Sequence, residues 1–161
     1  MRMSEGVEWA LHSCLNLTWL PPDQAVPTAK LAEFYELPAA YLNKQLQALA
    51  RAGIVSSTPG PRGGFRLARS PESITLLDVV VAIEGADEAF RCEQLLKRGP
   101  GADPAVDYRQ ACLVSRAMRR ADLAWRRELA EQTLADLKAE VERHYPATPS
   151  NTANRFAALR A

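Results

Sequence analysis

A chain of 161 residues with a formal charge of +1 and three cysteines has room for one packed domain and an appended helix, not for a large two-domain enzyme. No stretch approaches the roughly 20 apolar residues of a membrane span, and the opening MRMSEGVEW carries acids where a secretory signal needs an apolar run. A soluble, cytoplasmic chain with no membrane partner is therefore expected, and an odd cysteine count suits metal or redox chemistry better than a disulfide scaffold.

Residues 5–20 read as a first helix, because Val7, Ala10, Leu11, Cys14, Leu17 and Thr18 recur at helical spacing until Pro21 and Pro22 end it. Its core stripe is centred on Cys14. A short helix over 28–35, a turn at Glu36-Leu37-Pro38 and a third helix over 39–52, with Leu42, Leu46 and Leu49 inward and Gly53 after its end, outline a helix-turn-helix. Residues 54–58 and 65–68 read as two strands flanking Pro59-Gly60-Pro61-Arg62-Gly63-Gly64, which demands a tight hairpin. A helix pair followed by a hairpin is a winged helix.

Thr75 and Asp78 cap a further helix, 76–84, so rich in Val and Ile that burial on most sides is expected, and Gly85 ends it. Residues 98–107 (RGPGADPAVD) are loop-like. From Cys112 to about Tyr145 the helical pattern returns, and a helix this long on a small domain needs a partner to cover it. The polar residues after Pro146 have the composition of a disordered tail. The expected organisation is a mainly α fold with a small β-hairpin wing: a winged helix-turn-helix domain over 1–85, a loop over 86–111, dimerisation helices over 112–145 and a disordered tail over 146–161.

Charge divided by segment is more telling than its sum. Residues 28–70 carry six basic and two acidic side chains, net +4, whereas residues 71–96 carry one basic and six acidic, net −5. The near-neutral total hides a basic head suited to phosphates. Within that head, Tyr41, Asn43, Lys44 and Gln47 lie on the face of the third helix opposite its leucines, where a recognition helix reads the major groove, and Lys30 adds a cation nearby. Asn and Gln bond adenine edges, and Lys reaches guanine or phosphate. Arg62, at the tip of the hairpin, is the kind of cation that enters a minor groove. Taken singly, each is also an ordinary solvated side chain. No phosphate-cradling strand-to-helix loop and no nucleophile-base set argue for an enzyme.

The run from Ala32 to Gly85, with GPRGGF followed by SPESITLLDVV, resembles the IscR/NsrR family of winged-helix transcription regulators, and the likeness extends from residue 1 to about 142. It implies a homodimer joined through the long C-terminal helix, binding pseudo-palindromic promoter DNA. Many members hold an iron-sulfur cluster with three closely spaced cysteines and a histidine or carboxylate. Here Cys92 matches the first family cysteine and Cys112 the last, no cysteine lies between them, and Ser115 stands where a histidine is expected.

Two thiolates leave a cluster two ligands short. Glu8 and His12, four residues apart and so about 40° apart on one helical face, are the candidates to complete it. The resemblance then implies a 2Fe-2S cluster between subunits, with Cys92 and Cys112 on one iron and Glu8 and His12 on the other, a set like that of a redox-sensing member of the family; replacing thiolates on one iron has precedent in Rieske centres. Trp9, also off the Cys14 stripe, suits a position covered by a second subunit and is the candidate relay from sensor to reading head. The alternatives are a plain Glu8–His12 surface pair, a Cys92–Cys112 disulfide, or zinc held by the same four ligands. Cys14 is expected in the core.

Overall fold

The computed structural model describes residues 3–60 and 63–159. Helix α1 (Glu5–Thr18) is the central post, with α2 (Thr28–Phe34) and α3 (Ala39–Arg51) forming the helix-turn-helix against it. Val7, Ala10, Cys14 and Leu17 of α1 are buried, as are Leu42, Leu46 and Leu49 of α3. The turn between α2 and α3 closes through Glu36, held in the left-handed region at φ 56, and the Leu37 amide donates to the Ala32 carbonyl at 2.8 Å.

Strands β1 (Val55–Thr58) and β2 (Gly64–Leu67) form the antiparallel wing, with Val55 opposite Leu67 and Thr58 opposite Gly64. The wing is anchored by Val26, whose amide and carbonyl exchange hydrogen bonds with Phe65 at 2.9 and 2.8 Å. Gly64, at φ +149, makes this approach feasible, since a Cβ there would run into the Val26 carbonyl. The expected winged helix is therefore the fold. The tip of the wing, with Arg62, lies outside the described residues.

Helix α4 (Leu76–Glu84) begins at the expected capping box, Thr75 with Asp78. Its burial is less than the apolar run implies: Val79 and Val80 are buried, whereas Val81, Ala82 and Ile83 are half-buried. The carboxylate of Glu84 accepts from the Ser4 amide and hydroxyl at 2.9 and 2.5 Å, tying the start of α1 to the end of α4. After it comes a largely irregular segment with one 3-10 turn, Leu95–Arg98, and the short helix α5 (Tyr108–Ala111).

Helix α6 (Leu113–Glu131) is the long appended helix; Leu113, Val114, Met118 and Leu123 are exposed along it, and Ser115 is its one buried residue. Arg126 pins it by donating to the Ala86 and Asp87 carbonyls at 3.2 and 2.7 Å.

Two expectations about the C-terminal region need correction. The helical run over 112–145 is broken at Gln132 and Thr133, where a second capping box, Thr133 with Asp136, starts helix α7 (Leu134–His144). There the chain turns back onto the winged-helix body: the Leu134 amide donates to the Ile74 carbonyl at 2.9 Å, and Leu134 is fully buried. The expected disordered tail is helical over most of its described residues. Thr148–Ala158 forms helix α8, with Thr152 and Phe156 buried.

Candidate nucleic-acid interface and sensor residues

The reading head follows from the register of α3. Leucines at 42, 46 and 49 fix one face inward, so Tyr41, Asn43, Lys44 and Gln47 are exposed. Gln45 is the exception among the polar residues of this helix: it is 6% exposed and lies flat on α1, where Gly6 offers no side chain and a Cβ would stand 2.8 Å from the Gln45 Cδ. Asn43 is oriented from below by Thr28, whose hydroxyl donates to the Asn43 Oδ1 at 3.2 Å. Lys30 sits 4.0 Å from Glu33 within α2. Such a long pair, between a half-buried Lys30 and an exposed Glu33, leaves the ammonium available to a phosphate at little cost.

Two further polar residues stand out in the helix-turn-helix and wing. Thr28 orients Asn43. Arg66 is exposed on the wing beside buried Phe65, with its Nε donating to the Ser56 hydroxyl at 3.3 Å. The two-residue period of a strand is the signal that could have found Arg66, because Phe65 inward forces its neighbour outward.

Trp9 is placed otherwise than expected. It is half-buried against the core of its own chain, and its ring meets Tyr41 edge-on, with centroids 5.1 Å apart at 77°. The wheel correctly separates Trp9 from the Cys14 stripe, but α3 crosses that side of α1. A contact between the helix bearing Glu8 and the recognition helix therefore exists within one chain.

Of the four candidate ligands, Glu8 and His12 share one cleft, and Cys92 and Cys112 lie elsewhere. Glu8 and His12 are exposed on α1, at a cleft of about 550 Å³ whose apolar walls include Val7, Leu11, Leu137 and Val141. Cys92 is half-buried in the wall of a second cavity, of about 590 Å³, shared with Arg109, Ser115 and Arg119. Cys112, also half-buried, is the residue on which α6 begins, and both thiols are free. Ser115 does not face this cavity as a ready donor, because its hydroxyl is spent on the Arg109 carbonyl at 3.0 Å. Among the described residues no group of three or more His, Cys, Asp or Glu side chains is brought together to hold a metal. Cys14 is fully buried, and burial pushes its thiol up to about 12, which removes it as a thiolate ligand.

The donors present suit an iron-sulfur group in kind: two thiols, one carboxylate and one imidazole, with Cys92 in a cavity lined by both acidic and basic side chains. In placement, Glu8 and His12 share one cleft, whereas Cys92 lies in another cavity and Cys112 at the start of α6. No helix among the described residues is long and apolar enough to cross a membrane.

Residues 3–140 match the family described as Rrf2, iron-dependent transcriptional regulator. A Lactococcus lactis protein named as an HTH-type transcriptional regulator, YffB, is 30% identical over 145 residues, covering 90% of this chain and 92% of the relative. Among solved structures, IscR of T. potens superposes with a TM-score of 0.64 at 19% identity, over 90% of this chain and 91% of that one. CymR, described as the global cysteine regulator of B. subtilis, does so with a TM-score of 0.61 at 21% identity, over 87% and 98%. At those identities the two structures share the fold.

Proposed function

Since the chain belongs to the Rrf2 family of transcriptional regulators, and is thus a DNA-binding regulator rather than an enzyme, we propose that it is a cytoplasmic redox sensor whose operator affinity follows the oxidation state of a 2Fe-2S cluster at a homodimer interface. The observation that carries this reading is the separated donor set: free Cys92 in the wall of one cavity, free Cys112 at the start of α6, and exposed Glu8 and His12 together at another cleft. A second copy of the chain is what would bring Glu8 and His12 to the thiols, and the exposed Leu113, Val114 and Met118 at the start of α6 supply apolar surface for it.

When bound, the cluster would supply a one-electron change, that is, one unit of charge in a low-dielectric setting. The remainder falls to this chain's residues. Glu8 and His12 ride on the helix that carries Trp9 and Gly6, and these meet Tyr41 and Gln45 of the recognition helix. A small rotation or shift of α1 is thereby passed to α3 through direct contacts, with Trp9 as the relay. Asn43, Lys44 and Gln47 would read a pseudo-palindromic promoter site, with Lys30 and the wing, including Arg62, on the backbone or minor groove.

The test is isolation without oxygen, followed by visible absorption before and after dithionite together with iron, sulfide and zinc analysis. A coloured protein with two irons per site that bleaches reversibly is expected, with Glu8→Ala and His12→Ala labilising the colour. A colourless protein holding zinc, or one whose only response is a Cys92–Cys112 disulfide, overturns the cluster in favour of a zinc or thiol-based regulator.

A further inference from the structure

The C-terminal helix α8 lies outside the residues 3–140 that the family matches, yet it is built into the core. Its Phe156 is 2% exposed and stacks on Phe34 of α2 at 4.8 Å and 25°. The Arg155 guanidinium lies over the same Phe34 ring, 5.3 Å from its centroid. Phe34 in turn meets Tyr35 edge-on at 4.7 Å, and Tyr35 meets the ring of His12 at 5.6 Å and 63°. A continuous line of rings thus runs from α8, across the end of the first helix of the helix-turn-helix, to His12.

Tyr35 is held at both ends. It is the residue that ends α2, and its hydroxyl donates to the Oδ1 of Asn16 at 3.3 Å. Asn16 is 2% exposed and lies one turn beyond His12 on α1, so the same helix that presents the imidazole also anchors the ring packed against it. A histidine ligand needs its ring plane fixed, and the common device is a hydrogen bond to the second ring nitrogen. Here the imidazole packs edge-to-face with an aromatic ring, a contact with its own geometric preference. Edge and face differ in sign of charge, so a rotated imidazole loses the contact.

We propose that Tyr35 is the positioning residue for His12, and that α8, through Phe156 and Phe34, sets Tyr35 and so makes the C-terminal extension a working part of the sensor. The proposal rests on the reading of His12 as a cluster ligand. It gives that ligand a second route to the DNA-binding domain, into α2, beside the route through Trp9 into α3.

The experiment has one arm without iron and one with it. The chain has two histidines, so the imidazole proton resonances of iron-free, full-length protein are assigned with one variant, His144→Gln. Tyr35→Ala and Phe156→Leu are expected to move the His12 resonances, Tyr35→Phe to keep them in place, and the exposed His144 to serve as the unmoved control. In cluster-loaded protein, Tyr35→Ala should shift the midpoint potential and change the ratio of oxidised to reduced operator affinity by about threefold, the scale of one aromatic edge contact, with Tyr35→Phe restoring both. His12 resonances indifferent to Tyr35→Ala overturn the contact. Resonances that move while potential and affinity ratio stay constant overturn the positioning role. Wild-type protein that takes up no iron overturns the cluster reading instead, and the iron-free arm still decides whether α8 sets His12.

Discussion

The three cysteines divide sharply by environment, and thiol chemistry can expose the division. Cys14 is fully buried in α1, and its thiol is pushed from 9.0 to about 12. At about pH 8 that change lowers the reactive thiolate from about one molecule in ten to about one in ten thousand, a thousandfold loss before access is considered. Access adds to it, since a reagent reaches a fully buried sulfur only through opening of the core, at a cost up to the global stability of about 5–15 kcal/mol. Cys92 and Cys112 are half-buried and free. Iron-free protein treated with a disulfide dye reagent should therefore release two equivalents rapidly per chain and a third only in guanidinium. Cys14→Ala should leave the fast pair untouched and abolish the third; loading with iron and sulfide should protect the fast pair. Three fast equivalents, or loss of a fast one in Cys14→Ala, would refute both the burial argument and the exclusion of Cys14 from the ligand set.

Removing the Lys44 ammonium by Lys44→Ala should weaken operator binding and reduce the slope of log affinity against log salt by about 1, as one lost phosphate contact does; an unchanged slope, read by fluorescence anisotropy across a salt series, removes the assignment. Phe156→Ala, at a site 2% exposed, should cost about 3 kcal/mol and lower the melting temperature by about 10 °C, whereas a change below about 1 °C would mean that α8 contributes no packing. Asp136 accepts from the Thr133 hydroxyl and amide at 2.6 and 2.9 Å, and these bonds hold its carboxyl below its ordinary 3.8. The ionised form is the one favoured in the fold, so its contribution is complete above the ordinary value and lost as pH falls through the lowered one. Urea midpoints of wild type and Asp136→Ala should thus differ at neutral pH and converge as the pH falls below the ordinary carboxylate range, and a gap independent of pH would sink the capping argument.

The winged-helix body is legible in the sequence because its determinants are local. Leucines at 42, 46 and 49 state the period of α3, Thr75 and Asp78 state the start of α4, and glycines and prolines frame the wing; each segment carries its own instruction. Helix α8 is the opposite case. Its stretch is polar, and the residues that bury it, Thr152 and Phe156, find their partners near Phe34, more than a hundred positions away. The spacing of Thr152, Phe156 and Leu159, with Pro149 in the first turn, is a helix signal, but composition outweighs it when no partner for the apolar side is visible. Trp9 shows the same limit. Its angle from Cys14 is a property of one helix, while the ring that covers it, Tyr41, belongs to another.

The candidate sensor divides along the same line, and the division bears on how a signal would travel. Glu8 and His12 stand on a helix whose neighbouring positions Ala10 and Cys14 are fully buried, and side-chain contacts run from it to the helix-turn-helix: Gly6 with Gln45, Trp9 with Tyr41, and His12 and Asn16 with Tyr35. Cys92 stands in a segment of little regular structure, next to an exposed Asp87–Arg91 pair and a Gln94 at φ 51. A displacement imposed between the two halves would be absorbed unequally. The irregular side has few packed contacts to resist it, whereas α1 can move only by moving what is packed against it. In the proposed cluster, the ligands of the weaker type, Glu8 and His12, would thus be the ones wired to the reading head, and Cys92 would stand on the side that tolerates strain.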